Sequence, residues 1–226
     1  MSTSGSSAGI AEAQAAKPGP YTPTAQVPRV WFMDTSSLLT MAVHPDIEAA
    51  ILAEMIDDRV VVIDIVADEL AGCAKQSTTQ LLATNALARM PAAWTPLETT
   101  KFVQLADVKR IQTDVADGRV LSDDHQHWAE SVIIALCERS VKNQSSQQKM
   151  FLSEDYDARR VANTVAMLTA LSIHRALYER VKGGRMTAAD AAHLCAIVYQ
   201  AQRGPEITAD DFTKPISKGL KRVGMP

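Results

Sequence analysis

The chain has 226 residues, a formal net charge of −3 and 46% hydrophobic residues. This length suits one domain of ordinary size with a small extension, and this composition can supply a hydrophobic core. Because the apolar runs stay well below the roughly 18 residues of a membrane span, we expect no membrane span. Because the three cysteines form no CxxC pair, we expect neither a disulfide framework nor a zinc site. The mildly acidic charge gives no general attraction to nucleic acid, so a nucleic-acid enzyme would need local basic patches.

Residues 1–27 are rich in Ser, Ala, Gly and Pro. They lack the basic start and apolar core of a signal peptide. They also lack the apolar periodicity that would offset the entropy lost on ordering. We therefore expect a disordered N-terminal tail over 1–27, a folded domain over 28–182, and a helical extension with its own tail over 183–226. We expect a cytoplasmic protein without membrane attachment.

Strand and helix patterns alternate along the domain. Strands are predicted at Val30–Met33, 60–65, 150–152 and 165–171. Helices are predicted after Asp34, from Pro45, and over 67–75, Gln80–Arg89, 130–139 and 157–163, with a polar loop over 141–148. A last helical pair is divided at Gly183 and Gly184 and restarts with Thr187 as N-cap. Residues 91–120 give no clear pattern.

This alternation predicts an α/β protein. The expected architecture is a three-layer α/β/α sandwich with a central, mainly parallel sheet and a helical C-terminal extension.

Four acidic residues accompany these elements. Asp34 ends the first strand, Asp155 follows the third, Glu69 comes shortly after the second, and Glu130 opens an apolar helix. The carboxyl ends of parallel strands face one crevice, where ligands bind. Carboxylates gathered there repel one another unless a cation neutralises them, and oxygen ligands suit Mg²⁺ or Mn²⁺. The sequence therefore predicts a metal site formed by these four acids.

Neighbouring polar residues are candidates for a supporting role. Thr35, Ser36 and Ser153 are expected to orient a carboxylate or a metal-bound water, and Asp157 crowds beside Asp155. Each acid also has an ordinary interpretation, as a helix cap or as a solvated acid in the first turn of a helix.

Other polar residues allow two interpretations. His125 and His127 lie two positions apart, a spacing that would allow both to bind a metal, and Asp123 and Asp124 could supply a further ligand. Because all four lie on a polar stretch, we favour a solvated loop. Several arginines could line a phosphate-binding path or simply solvate the surface: Arg159, Arg160, Arg175 and Arg180.

The order of four segments resembles the PIN-domain nucleases. These segments are Asp34-Thr-Ser, Val-Ala-Asp-Glu69-Leu, Ala-Glu130-Ser-Val-Ile-Ile-Ala-Leu and Leu-Ser-Glu-Asp155-Tyr-Asp-Ala-Arg-Arg-Val-Ala. The stretch 176–192 is also similar to the helical end of many bacterial members, which include the VapC-like toxins. The resemblance covers about residues 29–200.

The resemblance implies an endoribonuclease that hydrolyses phosphodiester bonds of single-stranded or structured RNA. Catalysis would depend on Mg²⁺ or Mn²⁺ held by Asp34, Glu69, Glu130 and Asp155. It also implies a candidate role as the toxin of a toxin–antitoxin pair, with an antitoxin protein and a homodimer as candidate partners.

Three other hypotheses stay open at this point. One is a catalytically silent PIN-like scaffold that binds RNA or protein, and another is a PIN-type nuclease directed at DNA. The third is a phosphate hydrolase with an aspartate nucleophile on its first strand, which would usually show Asp-x-Asp, whereas Asp34 is followed by Thr35 and Ser36. A P-loop ATPase is excluded because the GxxxxGK[ST] motif is absent.

Overall fold

A computed structural model of the chain describes residues 29–90, 94, 97–99 and 101–214. The predicted tail over 1–27 and residues 215–226 of the predicted extension lie outside this part. The strands are β1 Val30–Met33, β2 Arg59–Val61, β3 Lys149–Leu152 and β4 Leu168–Leu171. The helices are α1 Thr35–Met41, α2 Pro45–Leu52, α3 Asp64–Cys73, α4 Gln80–Arg89, α5 Leu105–Ala116, α6 Trp128–Lys142, α7 Tyr156–Ala162, α8 Ile173–Lys182, α9 Ala188–Gln200 and α10 Ala209–Thr213.

The four strands form one parallel sheet in the order β2-β1-β3-β4. From β1 the chain moves outward to β2 and then crosses back over β1 to reach β3. The strand order therefore reverses between β1 and β3. In open α/β sheets, a crevice lies outside the carboxyl ends of the strands at such a reversal.

Helices cover both faces of the sheet. Every residue of β1 and β3 is buried, and successive residues of a strand point to opposite faces. Helices α5, α6 and α7 pack against one another, while α1 packs with α2, α3, α4 and α8. The core contains Trp31 and Phe151 among its largest fully buried side chains. The expected α/β class with a parallel sheet is therefore confirmed.

The last helices pack back on this body. Helix α9 begins after Thr187, whose side chain accepts a hydrogen bond from the Asp190 N–H, so the predicted restart is confirmed. Phe212 of α10 stacks on Tyr178 of α8, with ring centroids 6.4 Å apart. Among the described residues, no helix combines the length and apolar character needed to cross a membrane.

The second strand is shorter than predicted. β2 ends at Val61, and Asp64, which the prediction placed inside a strand over 60–65, begins α3 instead. The Asp64 carboxylate accepts hydrogen bonds from Thr99 Oγ1 at 2.6 Å and from the Thr99 N–H at 3.2 Å. A short apolar run alone cannot separate a buried strand from the start of a buried helix. Helix α3 accordingly starts before the predicted position 67.

Two further boundaries differ. The fourth strand was predicted from residue 165, but β4 begins at Leu168, because Met167 has a left-handed φ of 60° that interrupts extended backbone. The loop predicted over 141–148 begins later, because Val141 and Lys142 continue α6. The region 91–120, which gave no clear pattern, contains α5.

Asp58 anchors the start of the central strand. Its carboxylate accepts hydrogen bonds of 2.8 Å from the Arg29 N–H, Arg29 Nε and Trp31 Nε1. Burial raises the pKa of Asp58, but the hydrogen bonds from Trp31 and Arg29 and the charge of Arg29 together hold this pKa below its usual range.

We predict that Asp58→Asn lowers the free energy of unfolding by about 1–3 kcal/mol at pH 7, because one amide oxygen cannot serve three donors. Urea unfolding would measure the change. Since a depressed carboxyl pKa stabilises the fold above the unfolded pKa, the difference from the parent should shrink as the pH falls below about 4. The matched control is Asp57→Asn, at the neighbouring exposed residue. If this control lowers the free energy of unfolding as much as Asp58→Asn does, the prediction is wrong.

Candidate metal centre

Asp34 lies at the bottom of the crevice. It follows β1 directly, and the Asp34 N–H continues the parallel ladder by donating to the Leu152 carbonyl at 3.2 Å. Its side chain is fully buried and caps α1, with Oδ1 accepting from the Ser37 N–H at 2.7 Å. Its Oδ2 accepts from Ser36 Oγ at 2.8 Å and from Ser153 Oγ at 2.5 Å. Both carboxylate oxygens of Asp34 are thus held in fixed positions.

Asp155 enters from the end of the neighbouring strand. It caps α7, and its Oδ1 accepts from the Ala158 N–H at 3.0 Å. The Asp155 N–H donates to Ser153 Oγ at 3.1 Å, so one serine hydroxyl joins Asp34 to the Asp155 backbone. The predicted supporting residues Ser36 and Ser153 therefore contact Asp34 directly.

Glu69 and Glu130 come from helices and not from strand ends. Glu69 lies in α3 and accepts a short hydrogen bond from Thr35 Oγ1, next to Asp34. Glu130 lies in the first turn of α6. The charges of Asp34, Glu69 and Asp155 all act on Glu130, so the four predicted acids lie near one another. Of the four, Glu130 and Asp155 belong to the group whose ligand atoms all lie within 4.8 Å of one another, and Asp34 and Glu69 do not. Their role as metal ligands stays a prediction.

Burial raises the pKa values of Glu130, Glu69 and Asp34, and repulsion by neighbouring acids adds to this effect at Glu130 and Glu69. Burial, followed by the charges of Asp34, Glu69 and Asp155, raises the pKa of Glu130 to about 8. Burial also raises the pKa of Glu69, with a further contribution from Asp34. The pKa of Asp34 is raised by burial, although the hydroxyls around it offset part of that effect. A bound cation would relieve this repulsion.

His127 was interpreted as a solvated loop residue, but the structure places it beside the acids. Its Nδ1 lies 2.9 Å from Asp155 Oδ2, and its side chain is only 15% exposed. Ligand atoms of His127, Glu130 and Asp155 all lie within 4.8 Å of one another. His125 is exposed but close enough for its charge to act on Glu69. Spacing on a polar stretch could not reveal which histidine faces the acids, because only the fold brings the His127 ring next to Asp155.

Glu154 is a second residue that sequence reasoning missed. Burial raises its pKa to about 7, although a 2.6 Å hydrogen bond from the Ile173 N–H to Oε1 and nearby arginines act in the opposite direction. The Glu154 N–H donates to Ser36 Oγ at 3.1 Å. Glu154 therefore supports the Ser36 hydroxyl from beneath the crevice.

Asp157, predicted to support the site, has different contacts. It forms ion pairs with Arg119 and, at 3.7 Å, with Arg160. The arginines considered for a phosphate path are also engaged within the protein. Buried Arg159 donates to the Ser153 carbonyl at 2.7 Å. Arg160 also pairs with Asp117, Arg175 pairs with Glu179, and Arg180 lies near Glu54.

The donor set fits a small divalent cation. Carboxylate oxygens are the ligands that Mg²⁺ and Mn²⁺ prefer. Asp34, Glu69, Glu130 and Asp155 would supply the oxygens, and His127 the nitrogen. The sulfur ligands of structural zinc sites are absent here: the described cysteines are free, and none belongs to this group.

Comparisons of the chain with known protein families, with curated proteins and with solved structures found no match. The interpretation of the crevice therefore depends on the sequence pattern and on the geometry described above.

We predict that Glu130 makes the metal-free protein less stable as the pH rises. Between about pH 4.5 and 8 the folded protein keeps a proton on Glu130 that the unfolded chain has already released, so the free energy of unfolding falls over this range. Glu130→Gln removes that dependence. Urea unfolding in the presence of a chelator at pH 5, 6.5 and 8 should show the variant gaining stability relative to the parent at the higher pH values.

Glu138→Gln is the matched control. Glu138 lies on the same helix but forms a 2.6 Å ion pair with Arg110 instead of facing the acids. It should not reproduce the relative gain at high pH. Identical pH profiles for the parent and Glu130→Gln would show that Glu130 does not titrate abnormally.

Proposed function

We propose that this chain is a Mg²⁺- or Mn²⁺-dependent endoribonuclease of the PIN-domain type, which hydrolyses phosphodiester bonds in single-stranded or structured RNA. The observation that supports the proposal is the proximity of four acids near the reversal of strand order, where the charges of Asp34, Glu69 and Asp155 act on Glu130 and Asp34 is buried. A scaffold that only binds RNA or protein would gain nothing from gathering like charges there. The order of segments that resembles the PIN-domain nucleases supports the same function.

The residues of this chain would hold the reacting groups in place. Ser36, Ser153 and the Ser37 N–H fix both oxygens of Asp34, and Thr35 orients Glu69, so little reorganisation is needed at the site. When bound, divalent ions supply an activated water and neutralise charge on the phosphate oxygens. Asp155, capped on α7, and Glu130 on α6 complete the crevice from the other side.

A toxin of a toxin–antitoxin pair is the biological role that the resemblance favours. Ribonuclease activity without control would stop growth, so expression of the parent chain in bacteria should arrest growth, and an inactive variant should not. A small, basic DNA-binding protein encoded by the neighbouring gene would supply the expected antitoxin partner.

We predict that the purified protein cuts single-stranded RNA in the presence of Mg²⁺ or Mn²⁺ and stops when the metal is chelated. Asp34→Asn and Asp155→Asn should each reduce the rate at least about 100-fold, because each removes a charge that holds the cation while preserving side-chain size. Cleavage of a 5′-labelled oligonucleotide, followed on a denaturing gel, gives the rate.

Asp124→Asn is the matched control for these variants. Asp124 is an exposed acid that pairs with Lys109 at 3.3 Å. This control should cut at the parent rate. If the Asn variants at 34 and 155 also cut at the parent rate, or if chelation has no effect, the metal nuclease proposal fails. Cleavage of DNA but not of RNA would identify a DNA-directed nuclease, and RNA binding without cleavage would identify a scaffold.

We also predict that Asp34→Asn leaves the metal-free fold at least as stable as the parent. The Asn oxygen can keep the bond from the Ser37 N–H, and its amide can donate to the hydroxyl oxygens of Ser36 and Ser153. Removing the buried charge of Asp34 also removes the desolvation cost that raises its pKa. Thermal unfolding in chelator should give an equal or higher midpoint, and added Mn²⁺ should raise the midpoint of the parent only. A drop of several degrees in chelator would show that the charge of Asp34 is needed for folding.

A further inference from the structure

His127 faces the carboxylates through one ring nitrogen. Its Nδ1 lies 2.9 Å from Asp155 Oδ2, whereas its Nε2 lies 3.4 Å from the side-chain amide of Gln126. A ligand atom of Glu130 lies within 4.8 Å of the corresponding atoms of both His127 and Asp155. The three residues therefore form one compact group of donors that includes a nitrogen.

The spacing of these donors suits a shared ion. Ligands about 2.0–2.2 Å from an octahedral ion are separated by roughly 3 Å when adjacent and by roughly 4.2 Å when opposite. The 2.9 Å between His127 Nδ1 and Asp155 Oδ2 matches adjacent ligands, and the 4.8 Å limit on the group accommodates opposite ones. An ion could therefore bind to both of these atoms at once.

The backbone directs the ring of His127 toward the crevice. His127 precedes α6 with a left-handed φ of 59°, and its side chain makes no capping hydrogen bond. Its carbonyl accepts from Ser131 Oγ at 2.6 Å and from the Ser131 N–H at 3.1 Å, which anchors it to the first turn of α6. Glu130 lies on that same turn, so His127 and Glu130 keep a fixed spacing.

We propose that His127 is a nitrogen ligand of the metal ion and that it makes the site prefer Mn²⁺ over Mg²⁺. This inference depends on the proposed metal-dependent nuclease function. Mg²⁺ takes oxygen ligands almost exclusively. Mn²⁺ also prefers oxygen, but it belongs to the first-row transition metals that bind mixed N/O sites, at the weakly binding end of that series. A site of four carboxylates alone would lack this discrimination.

The test is made on Mn²⁺ itself, independently of cleavage. Electron spin-echo envelope modulation of the Mn²⁺-loaded parent should show coupling to a ¹⁴N nucleus, which changes to ¹⁵N coupling when histidine is ¹⁵N-labelled. His127→Asn should abolish the coupling, because it replaces the nitrogen with an amide oxygen. Asn also tolerates a left-handed backbone, so the variant should fold. By calorimetry, the His127→Asn variant should bind Mn²⁺ at least about tenfold more weakly than the parent does. Its affinity for Mg²⁺ should differ from that of the parent by less than about threefold.

His125→Ala is the matched control, because His125 is the other histidine near the acids. The ¹⁴N coupling should persist in this variant. If the coupling disappears with His125→Ala and persists with His127→Asn, His125 is the ligand and the inference is wrong. Tight Mn²⁺ binding without any ¹⁴N coupling would overturn the inference and leave the nuclease proposal intact. If neither the parent nor the Asp34→Asn variant binds Mn²⁺, the nuclease proposal fails as well.

Discussion

The parallel register between β1 and β3 is the constraint on which the crevice depends. Pairing of Met33 with Leu152 places Asp34 and Ser153 side by side as the next residues of adjacent strands, with the Asp34 N–H still on the ladder. Their side chains can then meet in a 2.5 Å hydrogen bond. A shift of one residue would turn one of the two side chains to the other face of the sheet. The position of the buried carboxylate is therefore set by the sheet itself.

A buried carboxylate loses its hydration, so it needs hydrogen-bond donors or positive charge nearby. Two arginines lie close to Asp34 without pairing directly with it. Arg159 donates to the Ser153 carbonyl at 2.7 Å, and Arg203 donates to Thr40 Oγ1 at 3.0 Å and to the Ser36 carbonyl at 3.3 Å. Arg159 is buried and Arg203 is half-buried, which lowers the pKa values of both guanidinium groups, while the nearby acids oppose that shift. Because both arginines donate hydrogen bonds to the protein beneath the crevice, they reduce the negative potential there. The negative potential at the opening of the crevice remains and would attract a divalent cation.

Much of this arrangement was predictable because it is local in sequence. Asp34 and Asp155 each follow an apolar strand and cap the next helix, a relation that a few residues encode. Glu69 and Glu130 were predicted less directly, since the structure places them on helices whose orientation depends on packing. The clustering of the four acids and the parallel sheet could therefore be anticipated from the chain.

What could not be anticipated depends on contacts between distant segments. Strand β2 is short because α3 begins at Asp64, whose carboxylate accepts a hydrogen bond from Thr99. The apolar pattern alone would continue the strand through this position. The inward position of His127 follows from a left-handed residue and from Asp155, 28 positions further along the chain. Neither effect has a periodic signature, because each arises from one specific partner that only the fold brings near.

The C-terminal segment is linked to the crevice through a series of contacts. Gly204 lies so close to His174 that a Cβ would come within 2.3 Å of the ring, so only glycine fits without displacement. His174 Nδ1 lies 3.8 Å from Glu154 Oε2, and the Glu154 N–H donates to Ser36, which in turn donates to Asp34. Burial lowers the pKa of His174 to about 4, so the ring is neutral at physiological pH and packs beside Glu154 without forming a charged pair. The segment predicted to be a separate extension thus contributes to the packing that fixes Asp34, and a description of the site that ends at residue 182 would omit part of its support.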